Sequence, residues 1–475
     1  MRPRWTRSEF SPSIRGLGDV CFPPDRTLAT SRKVGLTTCV LLALYLLLSP
    51  AYALLNFEAF GSEPRQFIRY IVIPGVLGVL FLATGILAKP DWAAAAGISG
   101  LTALLALFAC EALLTVQSVP VRLAMLGQLS DEKQETMARD GDFVRGFTLN
   151  RLNRMSGTDK LSAALLSGFP NTKVILCTPS DKPVMYTADR YGFNNPNMVY
   201  DSPMEVMLLG DSFVEGICLP PGQDLASRLR ERGLVTAGMG IRGNGPLLEL
   251  ATLGRFGETF RPRHIVMVFF EGNDWENFET ELGKPWLREA LAPGADYGEQ
   301  AAAGKPMEQA RAAMEKASRD QITFVDLLTR TEMLRNFFAL QLTLTRLGLV
   351  YPKITRTIPE FQDTLRQAKA ISTSWGGRFA IAYVPRVDRF LSRRSTDPAF
   401  DELRALVLDA AAAEGIQVID LYEAFRDEAE PIRMYAADSH FSTEGAIVAA
   451  NVIAQNLASR DHALGAEVEA GRLRR

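Results

Sequence analysis

The chain of 475 residues holds 3 histidines, and their surroundings single out one of them for chemistry. His264 opens an apolar run that reads as a buried strand, and His462 lies in a charged tail. By elimination His440, in Asp438-Ser439-His440-Phe441, is the candidate general base, with Asp438 the nearest carboxylate able to fix its tautomer. The nucleophile to match it is Ser212. It follows Glu205-Val-Met-Leu-Leu-Gly210-Asp211, a short apolar run closed by glycine, the pattern of a buried parallel strand that turns sharply into a helix. In open α/β sheets ligands bind beyond the carboxyl ends of the strands, so a hydroxyl there is well placed to attack. Gly-Asp-Ser is equally a good turn and helix N-cap, and it gains chemical meaning only if other pieces converge on it. Two do. Gly238-Met239-Gly240 lets a backbone come close to a ligand, so that the Gly240 amide can donate to a developing oxyanion. Gly272-Asn273-Asp274 offers the Asn273 side-chain amide, although this tripeptide is also ordinary turn chemistry. The amide of Ser212 with Gly240 and Asn273 would form a three-donor oxyanion hole. With so few histidines and no clustered cysteines, no metal set is expected, and this chemistry needs no cofactor.

These residues must be held by a scaffold, and the chain supplies alternating units. After the Ser212 strand come a helix at Leu225–Arg232, a strand at Leu234–Ala237, a helix at Leu247–Phe256 and a strongly apolar strand at His264–Phe270. Strands at Phe379–Val384 and Ile416–Leu421 flank a helix at Phe400–Glu414, and a last helix runs from Ala446 to Leu457. The alternation predicts an α/β fold, a five-stranded parallel sheet in flavodoxin-like order with helices on both faces. Ahead of it, Lys173–Cys177 and Val184–Thr187 flank a Pro-rich turn and predict a hairpin, within a stretch from Val119 to Tyr200 that otherwise reads as polar and irregular. Residues 280–357 interrupt the alternation. Their first part reads as a mobile polar helix, and the long apolar part, Phe324–Val350, as core packing, with a lid or membrane-apposed helix as the alternative.

The blocks Gly210-Asp211-Ser212, Gly240, Gly272-Asn273-Asp274 and Asp438-x-His440 resemble, in order and spacing, the four blocks of the SGNH hydrolases, also called GDSL esterases. The resemblance implies an ester-acting enzyme with Ser212 as nucleophile, His440 as base, Asp438 as its orienting acid, and Ser212, Gly240 and Asn273 as oxyanion donors. One position departs from the commoner pattern, in which the acid lies three residues before the histidine; here that residue is Ala437. An Asp-x-His spacing occurs in SGNH-like proteins that acetylate exported polysaccharides. The turn-rich stretch Asp189–Pro196 looks like membrane-anchored SGNH proteins of bacterial envelopes, many of them associated with exopolysaccharide production.

The remaining signals concern location. Val34–Asn56, Phe67–Ala88 and Trp92–Cys110 are each apolar for about the 20 residues a helix needs to cross a bilayer, with Arg69 the one charge inside them. Globular helices seldom stay apolar on all faces for so long, which favours membrane spans over buried core helices. Arg2, Arg4, Arg7, Arg15, Arg26, Arg32 and Lys33 outnumber Glu9, Asp19 and Asp25 in the leading tail, which places that tail in the cytoplasm and, after three spans, the rest outside it. In an oxidising compartment the two exported thiols, Cys177 and Cys218, are expected to pair, two free buried thiols being the alternative. A net charge of −2 gives no reason to expect nucleic acid as a partner.

The expected organisation is a cytoplasmic tail (1–33), three transmembrane helices (34–118), a linker with a small β element (119–204), an SGNH hydrolase domain (205–462) and a charged tail (463–475). The expected protein is a multi-pass bacterial inner-membrane esterase whose periplasmic domain removes O-acyl groups, foremost O-acetyl, from an envelope glycan or exopolysaccharide. An O-acyltransferase with the same triad and a non-catalytic scaffold or polysaccharide-binding subunit are the alternatives. Its partners are the lipid bilayer and an acylated carbohydrate or small ester. The sequence leaves the oligomeric state open.

Overall fold

The structure, a computed structural model, describes residues 24–61, 64–299, 304–330, 333–349, 355–391 and 395–473. The basic residues of the leading tail up to Asp19 therefore lie outside the described residues. The chain forms two compact units, Met1–Leu107 and Phe108–Arg475.

The first unit is helical. Three helices, Leu28–Leu55, Pro64–Leu87 and Pro90–Met125, are long and apolar enough to cross a membrane, the third running on into the second unit. Their outward residues are themselves apolar, among them Leu44, Leu48, Val79 and Leu80. A core helix would hide such a surface, whereas a helix in lipid presents it. Small residues set the packing: a β-carbon on Gly85 would come within 2.9 Å of Cys39 Cβ, and one on Gly35 within 2.7 Å of Ala94 N. Close backbone approach of this kind is how helices associate where water provides no driving force.

The second unit begins with a small sheet. β1 (Phe143–Arg145) pairs in parallel with β2 (Lys173–Cys177), which forms an antiparallel hairpin with β3 (Val184–Thr187). The main sheet contains β4 (Val206–Gly210), β5 (Thr236–Gly240), β6 (His264–Phe270), β7 (Arg378–Val384) and β8 (Gln417–Asp420), all parallel, in the order β5-β4-β6-β7-β8. This is the flavodoxin-like order, and both faces are buried. Met207, Leu209, Ile265 and Met267 point into one core, closed by the helices Pro246–Phe260, Pro359–Thr373 and Asp397–Ala413. Their neighbours Val206, Leu208, Val266 and Val268 point into the other, closed by Leu225–Arg230, Leu421–Arg426 and the first part of Thr443–Leu473. A strand buried on both sides has no polar face, which is why these read as unbroken apolar runs.

Three expectations need correction. The stretch from Val119 to Tyr200 is not irregular: the third long helix continues to Met125, the helices Asp131–Arg139 and Leu149–Ser156 follow, and Leu149, Leu152, Leu161 and Phe169 join the core of the sheet. Turns divide its apolar residues into groups too short to show a period. The helix Gly304–Arg319 is docked rather than mobile, with Ala310, Met314 and Ser318 buried and Ser318 Oγ accepting a hydrogen bond from the Arg145 amide at 2.7 Å. The apolar segment after it is not one core element but three short helices, Phe324–Arg330, Met333–Phe338 and Gln341–Arg346. The segment turns little of its surface inward, burying Leu327, Leu340 and Thr343 and leaving Phe324, Val325 and Phe338 exposed, and the helix Met333–Phe338 buries no residue.

Candidate active site

β4 ends at Gly210, where a β-carbon would collide with the Val214 side chain. Asp211 then caps the short helix Ser212–Glu215, its Oδ1 accepting from the Phe213 amide at 2.9 Å. Gly216, at φ +81°, stops that helix after one turn. Ser212 is thereby fixed at the mouth of the sheet. Its Oγ lies 2.8 Å from His440 Nε2 and 3.1 Å from Asp211 Oδ2.

The histidine comes from the loop before the last helix. Ser439 takes a left-handed φ of 71°, a turn tight enough to fold the Asp438 side chain back over His440. Asp438 Oδ1 accepts from the His440 amide at 3.2 Å, and Oδ2 faces Nδ1 at 3.4 Å. That distance is just past ordinary hydrogen-bond reach. Both atoms are buried without another partner, so each is the nearest group that can satisfy the other. The imidazole rests against the Phe213 ring, with centroids 5.2 Å apart, and only 17% of its side chain is exposed.

Topology brings the three candidate donor residues to one end of the sheet. β5, β4 and β6 are adjacent, so Gly240, Ser212 and Asn273 leave neighbouring strand ends. β5 extends through Gly240 itself, three residues beyond the expected end, and Gly210 pairs with Gly240. A β-carbon on Gly240 would come within 2.8 Å of Asp211 O, so glycine is required where the Asp211-Ser212 turn lies over the strand. Asn273 Nδ2 donates to Asp211 Oδ2 at 3.3 Å, which aims the amide at the serine turn. Burial pushes the Asp211 carboxyl above the usual carboxylate range, against the pull of its bonds from the Phe213 amide and of His440. Among the described residues no cluster of His, Cys, Asp and Glu is built to hold a metal.

Several positioning groups carried no role in the sequence reading. Glu215, at the end of the Ser212 helix and 1% exposed, receives Arg242 Nε at 2.9 Å and Nη2 at 3.1 Å, and the Arg242 amide at 2.9 Å. This pair ties the loop after Gly240 to the serine helix. Tyr186 Oη donates to the same carboxylate, and burial with that charge raises its pKa well above the usual phenol. Asn194 Nδ2 donates to Glu215 O, and Asn195 bonds both N and O of Gly238, at 2.8 and 2.9 Å. The stretch Asp189–Pro196 is thus a clamp on the strand and helix that flank the site. The legible signal was its density of turn residues, which marks a shaped loop without saying what it holds. Cys177 and Cys218 are joined, with Cα atoms 5.4 Å apart, linking β2 to the loop after the helix Ser212–Glu215.

Behind the site lies a group of buried acids. Glu281 Oε1 and Oε2 accept from the amides of Gly245, Leu247 and Leu248 and so cap the Pro246–Phe260 helix, yet burial still lifts its pKa to about 7. Glu249 and Asp274, also buried, are pushed well above the usual range by desolvation and by neighbouring carboxylates. A cavity of about 500 Å³ opens beyond Arg242, lined also by Arg145, Thr148, Arg151, Met314 and Ile322, but none of the candidate hydrolytic residues borders it.

The sequence from residue 208 to 446 matches the family GDSL-like Lipase/Acylhydrolase. No curated protein matches the chain. Among solved structures it is similar to the lipase/acylhydrolase from Enterococcus faecalis, at 17% identity and a TM-score of 0.30, over 54% of this chain and 96% of that one. It is similar also to a member of the lipolytic protein G-D-S-L family from Veillonella parvula, at 14% identity and a TM-score of 0.29, over 53% and 97% respectively. With the match spanning half of its length, the chain belongs to the GDSL-like lipase/acylhydrolase family of ester-hydrolysing enzymes.

Proposed function

We propose that the domain is an extracytoplasmic serine esterase that removes O-acyl groups, foremost O-acetyl, from an envelope glycan or exopolysaccharide. The reading is carried by one contact, the 2.8 Å approach of Ser212 Oγ to His440 Nε2 with Asp438 behind the ring. Ser212 attacks the ester carbonyl while His440 takes its proton, and the tetrahedral oxyanion is held by the amides of Ser212 and Gly240 and by Asn273 Nδ2. Collapse expels the sugar alkoxide, which receives the proton from His440. Water activated by the same imidazole then releases the acid and restores the serine. Residues 34–118 anchor the chain in the bacterial inner membrane, and 205–462 carry the chemistry, with side chains of 119–204 packed into the same core. The Cys177–Cys218 bond supports an oxidising compartment for that domain. The glycan rests on the likeness of Asp189–Pro196 to envelope SGNH proteins.

The Asp438-x-His440 spacing favours a second reading, in which the same acyl-enzyme is discharged onto a sugar hydroxyl instead of water. A fluorophosphonate probe on the detergent-solubilised protein tests the common step. Wild type is expected to be labelled and Ser212→Ala not; an unlabelled wild type, or equal labelling of both, refutes the proposal. With O-acetylated polysaccharide, free acetate marks the hydrolase, and acetyl appearing on an added unacetylated glycan marks the transferase.

A further inference from the structure

Outside the three long apolar helices, nine large apolar residues are exposed among the described residues, and six of them fall within one short segment: Phe324, Val325, Leu334, Phe338, Leu347 and Leu349. Phe324, Val325 and Phe338 are 69%, 65% and 62% exposed. A patch this dense on a water-facing loop would promote aggregation, and patches of this kind mark interaction surfaces. Its neighbour within the same unit indicates the partner. The Phe337 ring packs on Phe108, with centroids 5.5 Å apart, and Phe108 belongs to the long apolar helix Pro90–Met125.

One turn further along that helix stands Glu111, fully buried although its helix is otherwise apolar there. A carboxylate at this level is costly in hydrocarbon unless its oxygens are satisfied. Here they are, by the insertion: Oε1 accepts from the Leu342 amide at 3.1 Å and Oε2 from the Thr343 amide at 2.7 Å. These amides begin the helix Gln341–Arg346, whose own cap, Leu340, has a left-handed φ of 52° and provides no side-chain bond. The two segments therefore satisfy each other's polar groups near the end of the apolar stretch.

Charge agrees with that level. From Phe324 to Leu349 the sequence has Arg330, Arg335 and Arg346 against Asp326 and Glu332, and Lys353 and Arg356 follow with no acid before Thr357. Short helices with outward apolar residues and an excess of basic side chains are the make-up of segments that lie in a membrane interface and favour anionic lipid.

We infer that the helices Phe324–Arg330, Met333–Phe338 and Gln341–Arg346, with Leu347 and Leu349, form a second membrane contact, lying in the lipid–water interface with their apolar side chains among the acyl chains. It is an interfacial element and not a fourth span, since each helix is far shorter than the bilayer is thick. The inference rests on reading Pro90–Met125 as a membrane span.

The test is nitroxide accessibility on the full-length protein in mixed phosphatidylcholine–phosphatidylglycerol vesicles. Spin labels are attached at Val325→Cys and Phe338→Cys in a Cys39→Ala, Cys110→Ala background, with Leu105→Cys as the span control and Glu308→Cys, on an exposed polar position, as the aqueous control. Collision with oxygen, which concentrates in lipid, is compared with collision with a water-soluble nickel chelate. At Val325 and Phe338 the oxygen-to-nickel ratio is expected to exceed that at Glu308 several-fold and to approach that at Leu105. If Leu105 is in lipid while Val325 and Phe338 resemble Glu308, the interfacial contact is wrong and the span stands. Low collision with both reagents at Val325 and Phe338 means that protein covers the patch, which also overturns the inference. If Leu105 itself resembles Glu308, the span reading fails and the inference falls with it.

Discussion

Glu281 provides a quantitative test of the buried acids behind the site. Its carboxyl is fully buried, accepts three backbone amides, and has its pKa raised from an ordinary 4.5 to about 7. A carboxyl that binds its proton more tightly in the folded state stabilises the fold at low pH. The contribution is complete below the unfolded value and is lost as pH rises through the folded one. Integrating over these two values, Glu281 withdraws roughly 2.5 kcal/mol of stability between pH 5 and pH 8. Glu281→Gln keeps an oxygen for the amides and has no proton to lose. The assay is urea unfolding of wild type and Glu281→Gln in detergent, followed by circular dichroism at the two pH values. The wild type should gain on the variant by about 2.5 kcal/mol on going from pH 8 to pH 5. Glu249 and Asp274, pushed in the same direction, are present in both proteins and largely cancel from the difference. A gap between wild type and variant that is the same at both pH values would show that Glu281 titrates as an ordinary glutamate, and the account of its burial would be wrong.

Asp438→Asn should leave the fold and the Ser212–His440 contact intact and lower kcat on a small acetyl ester by about 10⁴-fold, the usual effect of favouring the wrong imidazole tautomer. A loss of less than roughly tenfold would mean that the 3.4 Å contact does not orient the ring and that serine and histidine act as a dyad. For topology, a reporter fused after Arg475 should be active outside the cytoplasm and one fused after Lys89 inside it; activity at Arg475 only inside would mean a miscounted span.

How much could be read beforehand depended on whether a residue's partners lie close in sequence. The strand His264–Phe270 was legible to the residue because a strand buried on both faces is apolar throughout. Gly210-Asp211-Ser212 and Asp438-Ser439-His440 were legible as short turns, since their geometry is set within three or four residues. The roles of Glu215 and Arg242 were not, because the pair is 27 residues apart and neither residue type is unusual where it stands. The insertion misled for a related reason. Phe324–Val350 has the composition of a core, and composition does not distinguish a side chain facing protein from one facing outward.

Asn195 has a consequence beyond the site. β5 is an edge strand, and at Gly238 its free donor and acceptor are both taken by the Asn195 amide, which stands where the backbone of a sixth strand would pair. An open edge is a template for another chain, and anchoring in a membrane confines copies of a protein to two dimensions, where their edges meet often. A single side chain that imitates one rung of the ladder stops the sheet from propagating into a neighbour. At Gly238, Asn195 therefore leaves no backbone donor or acceptor for the edge of a neighbouring copy to pair with.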